Sequence, residues 1–139
     1  MIEELKRAVC SQRITFFHAP SGYGKTVAMC ELSEALRQEG HSTSWLSIDP
    51  ALSDAVQFWG HVHISFGESG FCPGADNDEL ASDGGALADI LFQYRAEVKG
   101  ERFAFFDAFD RMNSLSLIDD FLRFCFEAPP EYHFVVSTR

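Results

Sequence analysis

The 139-residue chain is short of basic residues, of paired cysteines and of long apolar runs, and each shortage closes off a class of protein. Eleven lysines and arginines stand against 21 aspartates and glutamates, a formal net charge of −10, the wrong sign for holding a nucleic-acid backbone without a strong local basic patch. Lys6-Arg7 is the one adjacent basic pair, so no direct DNA binding by this segment is expected. Cys10, Cys30, Cys72 and Cys125 are widely separated and form no C-x-x-C pair, which suits reduced, partly buried thiols better than a zinc site or a disulfide frame. No apolar stretch approaches the length of a membrane span, and Met1-Ile2-Glu3-Glu4 is acidic where a secretion signal would be basic. The expected location is the cytoplasm. Internal repeats, low-complexity tracts and recognisable Ser/His/Asp or Cys/His nucleophile patterns are also missing.

What is present is an ordinary folded composition, 46% hydrophobic and 23% charged, at a length that suits one domain. Fourteen phenylalanines are many for this size, and they gather in the second half at Phe103, Phe105, Phe106, Phe109, Phe121, Phe124 and Phe126. That is more apolar aromatic surface than a small core readily hides.

The segment richest in chemistry is Ala19-Pro20-Ser21-Gly22-Tyr23-Gly24-Lys25-Thr26. It follows Ile14-Thr15-Phe16-Phe17, a β-branched and aromatic run, and opens a helical pattern in which Ala28, Met29, Leu32, Ala35 and Leu36 recur before Gly40. A strand leading through glycines into a helix aims backbone N–H groups and the positive end of the helix dipole at one point, where an anion fits. Ala19 stands where the usual pattern has its first glycine. Ser21, Gly22, Tyr23 and Gly24 line the loop, Lys25 can reach the β- and γ-phosphates, and the Thr26 hydroxyl can complete the coordination of Mg²⁺. The ligands implied are ATP or ADP with Mg²⁺.

Along the chain, Glu3 to Cys10 reads as a short helix with Leu5, Ala8 and Val9 inward. The helix from Lys25 to about Glu39 leads to a strand at Ser42 to Ile48, and this βαβ unit implies a parallel pair and an α/β fold. Asp54 to Phe66 reads as a helix with Val56, Trp59, His63 and Phe66 near one face. Residues 67–85, rich in Gly, Asp, Ser and Pro, read as a mobile surface loop. A helix from Ala86 to Val98, a doubly apolar strand from Arg102 to Phe106, a helix from Ser114 to Glu127 that is apolar nearly all round, and a strand from Tyr132 to Ser137 complete the reading.

A phosphate loop needs an acid at the end of another apolar strand to hold Mg²⁺ beside the Thr26 hydroxyl, and Asp107 fits that place. The residue after it, where a second acid would orient an attacking water, is Ala108. Asp110 is the substitute in reach along the chain, so slow or absent hydrolysis is expected. Ser137-Thr138-Arg139 emerges at the carboxyl edge of the sheet, where Arg139 could sense a γ-phosphate. His61-x-His63 could ligate a metal only on a strand, and the segment reads as helix. Asp76-Asn77-Asp78-Glu79 resembles the start of a calcium loop but has Ala81 in place of the sixth-position glycine.

These residues resemble a known family, the large ATP-dependent LuxR-type transcriptional regulators similar to the maltose activator, within the STAND class of P-loop NTPases. The likeness spans nearly the whole chain and is most specific at His18-Ala19-Pro20-Ser21-Gly22-Tyr23-Gly24-Lys25-Thr26, in a family where Ala-Pro-Ala-Gly-Tyr-Gly-Lys-Thr is common. Trp45-Leu46-Ser47-Ile48-Asp49 with Asp54 and Phe58-Trp59 also matches, with Ala55 in place of a usual proline, and Phe106-Asp107 matches the Walker B start, with Ala108 replacing a second aspartate. The resemblance implies a three-layer α/β/α P-loop NTPase with a parallel sheet ordered 5-1-4-3-2, of which the chain supplies four of five core strands. It further implies an excised or truncated N-terminal piece whose Ile14–Phe17 strand lies at an open edge, with the remainder of a larger regulator, or self-association, covering it. The function expected is an ATP/Mg-binding switch. A conventional P-loop ATPase or kinase, and a degenerate interaction module without nucleotide, are the alternatives.

Overall fold

The computed structural model describes residues 2–18, 24–51 and 54–138. Four strands, β1 (Ile14–His18), β2 (Ser42–Ser47), β3 (Arg102–Asp107) and β4 (Tyr132–Thr138), form one all-parallel sheet in the order β1-β4-β3-β2. Parallel neighbours require crossovers, and of the five helices among the described residues, α1 (Ile2–Ser11) precedes the first strand while α2 (Lys25–Gln38), α3 (Ala55–Glu68), α4 (Gly84–Gln93) and α5 (Leu115–Glu127) lie in the connections between strands. The chain is therefore an α/β protein, and β1 and β2 are the sheet edges.

Alternation along the central strands divides the interior in two. Phe103, Phe105 and Val135 face Val9 of α1 and Met29, Leu32 and Leu36 of α2. Ala104, Phe106, Phe134 and Val136 face the other way, against α3, α4 and α5, in the larger core. That core is a mesh of rings: Phe106 meets Phe121 edge-on at 4.9 Å, Phe124 meets Phe134 at 5.5 Å and Trp59 meets Phe124 at 5.0 Å. Such pairs add about 0.5–1.5 kcal/mol each beyond their buried area. Six of the seven second-half phenylalanines singled out above are buried and only Phe126 is exposed, because the two sides of the sheet share them, Phe103 and Phe105 against α1 and α2 and the other four in the ring mesh.

Helix starts follow their caps. The side chains of Asp54, Asp83 and Ser114 accept hydrogen bonds from Val56, Ala86 and Leu117 N–H at the heads of α3, α4 and α5, each such cap being worth about 1 kcal/mol. Several expectations are corrected. Helix α4 begins at Gly84 and stops at Gln93, where a 3-10 turn, Arg95–Glu97, replaces its expected last turn. The reason is Arg102, buried at the start of β3, whose guanidinium donates to the carbonyls of Arg95 and Val98 and so draws them off the helix axis. The 67–85 segment is not all surface, since Phe71, Cys72 and Ala81 are buried. Val56 and Ala8 face outward rather than inward. Helix α5 is not apolar all round: Ser116, Asp119, Asp120, Arg123 and Glu127 share one side, opposite Leu117, Phe121, Phe124 and Cys125. Its apolar arc is nonetheless wider than the core needs. Leu115, Ile118, Leu122 and Phe126 form a flank turned away from α4, and Leu115 and Phe126 are 81% and 67% exposed.

In register, His18 lies beside Thr138, Phe17 beside Ser137, Phe106 beside Val136 and Ser47 beside Asp107. The carboxyl ends of all four strands therefore meet at one edge, which places the site.

Candidate functional site

On one side of this edge is the head of α2. Gly24 is its N-cap residue, with φ 71° and ψ 18°, a left-handed conformation that glycine adopts without the penalty other residues carry. Its carbonyl accepts the Ala28 N–H at 3.0 Å, starting the helical ladder. Lys25 and Thr26 occupy the first turn, which carries no acidic residue, so nothing there offsets the positive end of the helix dipole. Lys25 is half-buried and its Nζ donates to the Thr138 carbonyl at 2.8 Å; Thr26 is exposed. The remaining loop candidates Ala19, Ser21, Gly22 and Tyr23, and also Arg139, lie outside the described residues.

On the other side is the end of β3. The half-buried Asp107 accepts two hydrogen bonds at Oδ1, from the Ser137 hydroxyl at 2.5 Å and from the Ala108 N–H at 3.0 Å. The same N–H reaches Ser137 Oγ at 2.9 Å. Ala108 has φ 58° and ψ 42° and is the only non-glycine residue with positive φ among those described. That conformation costs alanine about 1–2 kcal/mol and is held here by the bonds its N–H makes. Asp110 is exposed on the 3-10 turn Phe109–Arg111 that follows.

Strand β4 lies between the two halves, and its last turn of sequence touches both. Ser137 binds the acid, Thr138 receives the lysine through its carbonyl, and the Thr138 hydroxyl is 3.1 Å from Nδ1 of His18, the last residue of β1. Chemically the edge combines an ammonium group, a helix head free of acids, a primary-turn hydroxyl and a carboxylate with one oxygen already saturated. This donor set fits a polyphosphate whose charge is shared between lysine and a divalent cation. The sequence placed Lys25, Thr26 and Asp107 by motif. It carried no signal for the Ser137–Asp107 bond, because serine at a strand end is common and the pairing spans thirty residues of chain.

The other candidates do not assemble a site. His61 and His63 lie on α3, His61 exposed and His63 buried, with His63 Nδ1 accepting the Ala81 N–H at 2.9 Å. Asp76, Asp78 and Glu79 bring carboxylate oxygens within 4.8 Å of one another, but all three are exposed, and Asp76 and Glu79 form the capping box of a 3-10 turn, Asn77–Glu79.

No family model matches the chain. Curated proteins similar to part of it are serine/threonine-protein kinase PknK from two strains of Mycobacterium tuberculosis and from Mycobacterium bovis, each 33% identical over 61 residues. That match covers 44% of this chain and 6% of the length of each relative.

Proposed function

We propose that this chain is a nucleotide-binding switch module: ATP or ADP with Mg²⁺ sits at the carboxyl edge of the sheet and biases a larger, signal-responsive transcriptional regulator between states. The observation that carries the reading is the convergence of Lys25 and Asp107 on two consecutive residues of β4, Thr138 and Ser137. Residues 82 positions apart in the sequence are thereby brought to one strand end, which supports reading them as the lysine and the acid of a single phosphate site. The strand order, β1-β4-β3-β2, is the one the P-loop resemblance implies for four of its five strands and supports the same reading.

In this proposal the head of α2 and Lys25 would hold the phosphates, while Thr26 and Asp107 would hold Mg²⁺, which would supply neutralisation of the phosphate charge. A net charge of −10 makes a bare polyphosphate costly to bring in, so the magnesium complex is the ligand. Ala108 places no acid directly after Asp107, and Asp110 is exposed, which supports binding with slow or absent hydrolysis. Arg139 remains the proposed γ-phosphate sensor. The bare flank of α5 and the open edge of β1 fit packing against the rest of a larger regulator or a second copy. Among the described residues no helix is long and apolar enough to cross a membrane, and the cytoplasm, which supplies ATP and Mg²⁺, is the proposed location. The PknK name favours one competing reading, phosphoryl transfer as a conventional ATPase or kinase, and rapid Mg²⁺-dependent turnover would select it.

Titration calorimetry with ATP, ADP and GTP, with and without Mg²⁺, tests the proposal. Lys25→Ala should lose about 1.5–3 kcal/mol of a charge-assisted contact, a weakening on the order of 10- to 150-fold. Unchanged affinity in this variant, or no nucleotide binding by the native chain, refutes it.

A further inference from the structure

We propose that Ser137 is the positioning residue of the acidic half of the site, the group that orients the Asp107 carboxylate and reserves one of its oxygens for a divalent cation. The inference rests on the nucleotide reading above and names a residue for which that reading has no role.

Ser137 is wholly buried near the end of β4, so its hydroxyl is out of reach of bulk solvent. A hydroxyl has one proton and two lone pairs. One lone pair is taken by the Ala108 N–H at 2.9 Å, and an ionised carboxylate can only accept, so the serine proton points at Asp107 Oδ1. At 2.5 Å this is a short, charge-assisted bond. The Ala108 N–H closes the triangle on the same Oδ1 at 3.0 Å. Two donors on one oxygen remove the freedom of the carboxylate to rotate about its Cβ–Cγ bond. Among the described residues no hydrogen bond reaches Oδ2, which is therefore the oxygen left for a cation.

Two details show that the arrangement is specific rather than incidental. Ala108 adopts its left-handed backbone directly after Asp107, and that turn is what brings its N–H back onto the carboxylate that precedes it. Thr138, the next residue after Ser137, takes Lys25 Nζ on its carbonyl. One dipeptide of β4 thus sets both the cation-binding carboxylate and the phosphate-binding lysine, and fixes the spacing between them.

The experiment is a double-mutant cycle on Ser137→Ala and Asp107→Asn, read as ATP affinity in Mg²⁺ and in EDTA. Ser137→Ala removes one oxygen without adding volume, so the core of β4 is kept. The expected result is a loss of about 10- to 100-fold in the affinity gained from Mg²⁺, the range for partners that orient a metal ligand, with affinity in EDTA unchanged. In the Asp107→Asn background Ser137→Ala should have no further effect, because the serine acts through the acid. If Ser137→Ala keeps the native Mg²⁺ gain, or if the two substitutions add, the inference falls while nucleotide binding stands. If the native chain binds no ATP in either condition, both fall together.

Discussion

His63 shows how one side chain carries a fold-wide consequence. It is buried on α3 and uses Nδ1 to accept the Ala81 N–H, tying the segment after α3 to that helix. Burial lowers its pKa from the ordinary 6.5. Because the folded value is below the unfolded one, the unfolded chain binds the proton first, and the stabilisation is complete above about pH 6.5 and declines as the pH falls below it. Protonation at Nδ1 would also destroy the acceptor that Ala81 needs. Urea unfolding at pH 7.5 and at pH 5.5 should show a larger loss of stability for the native chain than for His63→Gln, which keeps an acceptor and cannot take up the proton in this range. Equal losses would show that His63 contributes nothing to the slope. Sequence periodicity placed His63 on a helix and turned it inward, but its hydrogen bond to Ala81 depends on how the following segment folds back, which periodicity does not encode.

At the scale of elements, the interface of α3, α4 and α5 depends on an absent side chain. A Cβ on Gly84 would lie 3.0 Å from Phe124 Cβ and from two atoms of the Trp59 ring, so alanine there must push α4 away from its neighbours. Gly84→Ala should therefore destabilise by about 1–3 kcal/mol, the usual cost of overpacking, where alanine in an uncrowded helix would stabilise. Chemical denaturation checks the sign. The same region shows where elements could and could not be read in advance. The nine α-helices and strands among the described residues were legible from apolar spacing and glycine punctuation, and the strand limits were nearly right because β-branched runs end at polar residues. The limits of α4 were missed at both ends. Asp83, its cap, was hidden in a polar run, and its far end is set by the Arg102 side chain reaching back to the Arg95 and Val98 carbonyls, a contact that apolar spacing does not encode. Apolar residues around α5 were likewise legible, but which of them the core would cover depends on the position of α4.

For the molecule as a whole, what the core leaves out matters as much as what it covers. Leu115 and Phe126 stand exposed on α5, and Phe16 is 54% exposed on β1. Arg13 O already accepts from Phe134 N–H, so by strand alternation Ile14, Phe16 and His18 direct their backbone groups away from β4. Edge and apolar flank together favour association with another polypeptide. Light scattering on concentrated protein should show self-association that falls in a Leu115→Ser, Phe126→Ser variant, with stability altered by no more than about 0.5 kcal/mol per surface site. A monodisperse native monomer would contradict this.

The direction of chain travel gives Phe16 a further meaning. From β2 to β3 and from β3 to β4 the backbone steps toward β1, and both passages run through α3, α4 and α5 on a single side of the sheet, while the opposite step from β1 to β2 runs through α2 on the other. Handedness forces that segregation. Any unit that extends the sheet past β1 by one more step from β4 must carry its linking helix over the side where Ile14 and Phe16 face, against the bare flank of α5. The uncovered aromatic thus marks the only lane that growth of this sheet in that direction can take.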